Sequence, residues 1–548
     1  MKNEEIIKRI FKNPLQTREY YEEKYPSRNL EEGVRVSRYA PSPTGFVHFG
    51  NLLATFIEQK VARDTNGIFY LRIEDTDGKR EVENGIENII RDLKDFGITF
   101  DEGALSREEE KGSYGPYIQS QRKEIYHTYI KDLLEQEKAY VSFTTPEEKE
   151  ALHALQEKTK TRIGYYGVYA KDRNLTEEEV IARLDKGEPY VIRLKSSGDF
   201  NKRFVFNDLV KGSIEMPEND MDIIIMKGDG LPTYHFAHVV DDHLMHTTHV
   251  IRGEEWISSI PIHLELWKVM GWKAPKYAHI PPLMKEENGV KRKLSKRKDP
   301  EAAISYFEEV GIPVEAVKLY LMTIANSNFE EFLLQNKDKG IDDFKFDFKK
   351  MSKSGALFDI EKLKSISRNY LSTLKATDIY ERLLTYTERH DTDFHALIEK
   401  YKEKTIAILN IEREQKKPRK DFYAYSDIKN QIWYMYDELF KPETYEFGTI
   451  SNREEIIAIL TTYMDTYYRE EDDESTWFNK LKDLSEAFGY AREVKEYKNN
   501  PDAYKGHVGD ISMALRVALT SKAMTPNLYD IVKILGKERI IERIQLLK

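Results

Sequence analysis

Between Val34 and Ile73 the sequence changes period three times. Val34 and Val36 alternate with Arg35 and Ser37, Pro41, Pro43 and Gly45 break the chain, Leu52, Leu53, Phe56, Ile57 and Val61 recur at helical spacing, and Ile68 to Ile73 alternates again. Alternation marks a strand and a three-to-four-residue period an amphipathic helix, so the stretch reads as strand, loop, helix, strand. Parallel strands need a long crossover, which is right-handed, and this unit is the building block of a doubly wound, parallel nucleotide-binding sheet. The expected fold class is therefore α/β.

The rest of the chain is organised around that unit. Residues 1–33 are polar and helical in pattern and read as an extension, followed by the first half of the sheet domain at 34–140. Short alternating runs at Tyr190–Leu194 and Phe204–Phe206 point to an inserted α/β module over 141–225, and strand-like Ile223–Met226 is expected to lead back into the sheet, whose second half runs over 226–300. Beyond Pro300 helical periodicity takes over, with one helical region at 301–375 and another at 376–548, where Gly and Pro are sparse. A chain of 548 residues outgrows a single core, so several packed units are required.

Composition removes several kinds of chemistry. With no cysteine there is no disulfide, no thiolate nucleophile and no thiolate zinc site, leaving His, Asp and Glu as the side chains for any protein-bound metal. A mean hydropathy of -0.64 describes a heavily solvated surface. The opening MKNEEIIKRI mixes acids with bases, unlike a signal peptide, and no run suits a membrane span, so a cytoplasmic protein with no membrane partner is expected. The net charge is -10 and the pI about 5.9, so any nucleic-acid contact must come from local basic surface.

Four constellations carry potential chemistry. Arg38 to Asn51 (RYAPSPTGFVHFGN) joins a strand end to a helix start through a rigid loop; free N–H groups there suit a phosphate, although a structural turn with a capping His48 fits the same residues. Neither GxGxxG nor GxxxxGK[ST] is present. LRIEDTD at Leu71–Asp77 ends the next strand, placing Glu74 to meet an amino group or a metal, while Asp75 and Asp77 read as caps or turn formers. The third runs from Asp229 to Trp256. It gathers His235, His238, His243, His246 and His249 with Asp241 and Asp242, and read alone it suits a dinuclear metal hydrolase, though without HExxH spacing. The fourth, Lys291 to Lys298, holds six cations in eight positions and reads either as a clamp on phosphate charge or as a solvated basic loop.

Taken together, these segments closely resemble the bacterial-type glutamyl-tRNA synthetases, class I aminoacyl-tRNA synthetases. The resemblance rests on RYAPSPTG with HFGN, LRIEDTD, GPYIQSQR at Gly115–Arg122, DGLPTYHFAHVVDDHLM with VIRGEEW, and KLSKR at Lys293–Arg297. It covers about residue 34 to 548, where LGKERIIERI resembles the family's closing segment. A literal KMSKS at Lys350–Ser354 is a decoy by order and context: the family's working loop follows a strand matched by His279-Ile280-Pro281-Pro282-Leu283-Met284. Lys293 and Lys296 are therefore assigned to catalysis with His48, and Lys353 is left out.

The resemblance implies ATP held by His48, Gly50, Asn51 and Lys296, with Mg2+ beside it. Glutamate would meet Arg38 and Tyr234 at its side-chain carboxylate, Ser42 and Glu74 at its amino group, Arg252 at its α-carboxylate, and His238 beside it. Guanidinium suits a carboxylate because its fork donates two parallel bonds. The implied architecture adds an acceptor-end module at 141–225, a stem-contact region at 301–375 and an all-α anticodon-binding region at 376–548, serving tRNA(Glu) in a monomer. Lys416, Lys417, Arg419 and Lys420, with Phe422, Tyr423 and Tyr425 nearby, offer cations and stacking rings for RNA. Three departures from the family's pattern stand out: Asn51 closes the HIGH-like motif, His238 replaces an asparagine, and AYVSFTTPEE occupies the stretch where zinc-binding cysteines would lie, so no structural zinc is expected.

Overall fold

The computed structural model describes residues 3–43, 47–76, 82–295, 297–442 and 444–547. They form two compact units, one of residues 1–306 with 318–359, the other of 307–317 with 360–548. Thr44–Phe46, Asp77 and Lys296 of the sequence motifs lie outside the described residues.

The first unit opens with two short helices, α1 (Glu4–Ile10) and α2 (Arg18–Lys24). Strand β1 (Val36–Tyr39), helix α3 (Phe49–Arg63) and β2 (Ile68–Leu71) then follow as the changes of period predict, with β1 and β2 parallel and Val36 opposite Ile68. Helix α4 (Gly85–Asp95) crosses to β3 (Glu102–Ala104), which is parallel to β2 and antiparallel to β4 (Glu110–Lys111). Leu52, Leu53, Phe56, Ile57 and Val61 of α3 are all buried, each contributing about 1.5–3 kcal/mol. The α3–β2 turn is possible because residue 67 is glycine: a Cβ there would stand 1.9 Å from the Arg35 carbonyl oxygen.

Helix α5 (Lys123–Glu135) leads to the inserted module. Its β5 (Ala139–Ser142), β6 (Val191–Leu194) and β9 (Ile224–Met226) form an antiparallel sheet, with α6 (Pro146–Lys158) and α7 (Glu177–Asp185) in the long connection. Ile224–Met226 thus pairs with the module rather than joining the parallel sheet, contrary to the sequence expectation; the strand is only three residues long and its partner is β6. Strands β7 (Arg203–Asp208) and β8 (Gly212–Pro217) make a hairpin that packs Phe206 and Met216 against Val250, Ile260 and Tyr277.

Helix α8 (Tyr234–Leu244), β10 (His249–Gly253), helix α9 (Ile260–Met270) and β11 (Lys276–Ile280) complete the second half, with β10 and β11 parallel. The halves meet at β1 and β10, where Thr248 donates its N–H to the Val36 carbonyl (3.0 Å) and Val36 donates to Thr248 Oγ1 (2.8 Å). This is the topological switch of a doubly wound sheet, and ligands bind outside the strand ends at such a point.

The stretch Ser142–Thr144 is tied by one buried carboxylate. Asp172 accepts from Ser142 Oγ (2.8 Å), the Phe143 N–H (2.9 Å) and Thr144 Oγ1 (2.9 Å). The N-terminal helices are fastened down as well. Ile6 packs with Val141, Phe143 and Val180 of the inserted module, while Arg28 forks onto Glu102 (2.8 and 2.9 Å) and donates to the Met245 carbonyl.

The second unit contains no strand among its described residues. Its helices share one core that includes Ile379, Leu383, Ile398, Ile428, Leu460, Leu481, Ile511, Ile531 and Ile540. Residues 307–317 belong to this unit and the boundary falls at 359/360, so the segment expected as one helical region over 301–375 is divided.

Candidate active site

Two adjoining cavities open at the strand ends. The first, about 330 Å³, is lined by Arg38, Ser42, Glu58, Glu74, Tyr234 and Arg252, among others. The second, about 240 Å³, is lined by His48, Gly50, Lys293 and the Ile280–Leu283 segment. Asn51, Ala54, Gly253 and Glu255 line both. β1, β10 and the chain after β2 each deliver residues to one edge, which is why segments far apart in sequence converge here.

Buried arginines and the Asp241–Asp242 pair of α8 form the floor. Arg72, fully buried, donates to Asp242 Oδ1 at 2.6 Å and to Glu74 Oε1 at 3.0 Å; Arg122 donates to Asp241 Oδ1 at 2.7 Å. Arg38 sends Nε to Asp242 (3.3 Å), and among the described residues no hydrogen bond occupies its two Nη nitrogens. Burial works to raise the Asp242 carboxyl, yet Arg38 and Arg72 hold it well below its ordinary value. Glu74 goes the other way, raised because burial outweighs Arg72 and Arg38.

Arg252 is gripped on three sides. It donates Nε to His279 Nε2, Nη1 to the Tyr234 hydroxyl and Nη2 to His263 Nδ1, each at 3.1 Å. An arginine only donates, so both imidazoles must accept at those nitrogens. His279 then carries its proton on Nδ1 and gives it to Asp208 Oδ2 at 2.7 Å. His263 carries its own on Nε2, facing His235 Nδ1 at 2.9 Å. Burial, followed by the neighbouring imidazoles and Arg252, keeps His263 neutral; burial, then Arg252, pushes His235 down to about 4.

These contacts overturn the dinuclear metal reading. His235 Nδ1 and His263 Nε2 face each other while His263 Nδ1 meets Arg252, His243 bonds Glu22 and stacks on Trp272 at 3.8 Å, and His246 bonds the Tyr25 carbonyl. Asp241 is filled by Arg122, Gln119 and Tyr126. Among the described residues no group of three or more His, Asp or Glu side chains could hold a metal ion.

His238 also departs from its expected place. It is fully buried and absent from the cavity lining, stacked behind Tyr234 (5.7 Å between centroids, 11° between planes), with Nε2 3.1 Å from the Tyr277 hydroxyl and Nδ1 2.8 Å from Asp242. Helical geometry explains this: four residues beyond Tyr234 on α8, it lies one turn deeper on the same face. Burial drives its pKa down to about 3.

In the second cavity His48 caps α3, its Nδ1 accepting the Gly50 N–H at 3.0 Å, so the neutral ring holds its proton on Nε2. A Cβ on residue 50 would crowd that ring at 3.3 Å. Lys293 ends a hairpin of β12 (Met284–Glu287) and β13 (Val290–Lys293). The loop that follows is anchored by Asp299, which takes a two-pronged contact from Arg292 (2.7 and 2.8 Å) and the Ser295 N–H (2.9 Å). Lys350–Ser354 lines neither cavity: Met351 is buried, Ser352 Oγ donates to the Gly355 carbonyl, and the Lys353 carbonyl accepts from Lys211.

In the second unit Lys416, Lys417 and Lys420 are exposed, whereas Arg419 is drawn inward by Glu412, Asp421 and the Thr525 carbonyl. Sequence reasoning did not single out Trp256, Glu255 or Glu58 as site residues. Trp256 lies 4.2 Å from the Tyr234 ring, and its signal was the Arg252 motif, which it closes. Glu58 shares the cavity-facing stripe Val47, Asn51, Ala54 and Glu58, a helical spacing that the apolar stripe of α3 obscures.

Comparison with known proteins agrees with this fold. Residues 34–365 match the family of class I tRNA synthetases (E and Q), catalytic domain, and residues 422–547 match an anticodon binding domain. The glutamate–tRNA ligase of Clostridium beijerinckii is 48% identical over 546 residues, covering 99% of each chain, and that of Acetivibrio thermocellus is 47% identical over 537 residues, covering 98% of each. A crystal structure of a glutamate tRNA ligase from Elizabethkingia meningosepticum, in complex with its amino acid, superposes with a TM-score of 0.75 at 29% identity, covering 94% of this chain and 99% of that one.

Proposed function

Because this chain belongs to the glutamate–tRNA ligases, class I synthetases that use ATP, we propose that the first cavity holds L-glutamate and the second holds ATP. One observation carries the assignment: the cavities share Asn51, Ala54, Gly253 and Glu255, so a carboxylate in one lies next to a phosphate in the other. In this reading Arg38 and Tyr234 face the side-chain carboxylate, Ser42 and Glu74 the amino group, and Arg252 the α-carboxylate. His48, Gly50, Asn51, Lys293 and Lys296 hold the nucleotide. His238 acts through Tyr234, keeping its ring in place.

The chemistry follows from charge and position. An oxygen of the glutamate α-carboxylate attacks the α-phosphorus of ATP in line, the bond to the bridging oxygen breaks, and pyrophosphate leaves with the electron pair. The 2'-hydroxyl of the terminal tRNA ribose then attacks the acyl carbon, losing its proton as AMP departs. No side chain is covalently modified, so orientation and preorganised charge supply the rate. His48 Nε2–H and Lys293 line the cavity that would hold the phosphates, and Lys296 adds a further positive charge from the same motif. The lining of the second cavity contains a single described carboxylate, Glu255, which suits Mg2+ arriving on phosphates with its waters. When bound, that ion offsets phosphate charge.

The partner is tRNA(Glu), met by the inserted module and the helical unit, with Lys416, Lys417 and Lys420 as exposed cations for its backbone and Arg419 shaping the segment. Among the described residues no helix is long and apolar enough to cross a membrane. The chain is proposed to act as a monomer in the cytoplasm. The test is charging of unfractionated bacterial tRNA with labelled glutamate and, separately, glutamine. Lys296→Ala is expected to lose at least about 100-fold in kcat while Lys353→Ala stays within about twofold of wild type. Equal losses, or loss in Lys353→Ala alone, would transfer the nucleotide role to Lys350–Ser354.

A further inference from the structure

One carboxylate in the first cavity has no role in the chemistry above. Glu58, on α3, is 3% exposed, lines the cavity, and has no hydrogen-bond partner for its Oε2 among the described residues. Its backbone is fixed, the carbonyl accepting from Ser37 Oγ at 2.7 Å, so the side chain is held at this depth. A buried carboxyl oxygen left without a partner is costly, by roughly 1–3 kcal/mol when the group is neutral and more when it is charged. That cost is offset if a ligand supplies the missing partner.

We propose that Glu58 is a specificity-determining residue that hydrogen-bonds the substrate's side-chain terminus and makes the cavity select a carboxylate over a carboxamide. The inference rests on the reading of this cavity as the amino-acid site. The groups facing Glu58 are Arg38 and Tyr39 from β1 and Asp242 from α8; Tyr234, Glu74 and Arg252 complete the inner lining, and Glu255 stands at the exposed rim. Burial raises the Glu58 carboxyl well above its ordinary value, Arg38 opposes this, and Asp242 reinforces it.

Charge balance gives the direction of selection. Arg38, Arg72 and Arg252 bring three positive charges to the inner site, and Asp242 and Glu74 bring two negative ones. Glutamate adds one net negative charge, so the filled site is neutral when Glu58 holds its proton. That proton can be donated to the substrate carboxylate. Glutamine adds no net charge, so it leaves one positive charge of the site unbalanced; its amide can still exchange hydrogen bonds with a protonated carboxyl, and the selection therefore rests on charge. Ionised Glu58 reverses this balance: it repels the carboxylate and leaves the site neutral with glutamine bound.

The test is the KM for glutamate, with the inhibition constant of glutamine beside it, for wild type and Glu58→Gln in the tRNA-charging reaction, across the whole pH range in which the protein stays folded and active. The wild-type glutamate KM is expected to rise about tenfold per pH unit once Glu58 ionises, with kcat changing less and glutamine inhibiting more strongly; Glu58→Gln should stay flat. Glu58→Met, which keeps the bulk and removes the donor, should give a raised KM at every pH. Superimposable profiles for wild type and Glu58→Gln would overturn the proposal. Arg252→Ala separates it from the underlying reading: if that variant leaves the glutamate KM unchanged, the cavity is not the amino-acid site, and if it raises KM while the Glu58 profiles coincide, only the role of Glu58 falls.

Discussion

Arg252 donates its Nε–H to His279 Nε2 at 3.1 Å, and that imidazole is locked in the accepting tautomer by Asp208 at 2.7 Å. A guanidinium on flexible methylenes is thereby aimed before any ligand arrives. Removing either acceptor should therefore weaken binding more than turnover. His279→Phe and His263→Phe are each expected to raise the glutamate KM by about 5- to 30-fold, the equivalent of about 1–2 kcal/mol, with a smaller change in kcat. Steady-state charging kinetics measure the split.

The same neutral histidines make the first unit sensitive to acid. His238 and His263 are buried with folded pKa values below the ordinary 6.5, His238 at about 3. In the unfolded chain both take up protons below about pH 6.5, while the folded state refuses them, so their contribution is full above that pH and is lost as pH falls. The slope is about 1.4 kcal/mol per pH unit for each. Unfolding free energies between pH 7 and 5 should fall accordingly, and His238→Gln should have a shallower slope by about 1.4 kcal/mol per pH unit.

How far the sequence spoke depended on the kind of information needed. The unit from β1 through α3 to β2 was legible because its period changes coincide with its element boundaries. The order of motifs favoured KLSKR over the literal KMSKS; Lys293 lines the second cavity and Lys350–Ser354 lines neither. The histidines were a different matter, because the pattern His235, His238, His243 says nothing about which nitrogen faces which partner. Only the fold reveals that His263 and Arg252 stand between them. Ile224–Met226 was misplaced because a three-residue apolar strand fits either neighbouring sheet equally well.

Asp172 gives a prediction for the inserted module. Asp172→Ala would leave Ser142 Oγ, Thr144 Oγ1 and the Phe143 N–H without their shared acceptor. The expected cost is about 2–4 kcal/mol. Limited proteolysis should then cut within 141–225 before the rest of the chain, and thermal melting should show an earlier transition.

The N-terminal extension is expected to be a fastening. Arg28 is nearly buried against Glu102, and Tyr25, Glu22 and Ile6 hold the rest of the segment. Breaking a buried pair from one side costs about 3–5 kcal/mol. Arg28→Ala should lower the melting temperature of the first unit by several degrees while leaving the glutamate and ATP KM values within about twofold.

The central claim, that two linked cavities hold glutamate and nucleotide end to end, is tested most directly by calorimetric titration with a non-hydrolysable glutamyl-adenylate analogue. The account predicts that the analogue binds at least about 100-fold more tightly than glutamate, because it fills both cavities at once. Arg252→Ala and Lys293→Ala should each weaken it, and Lys353→Ala should not. Binding no tighter than that of glutamate, or indifferent to both Arg252→Ala and Lys293→Ala, would contradict the account.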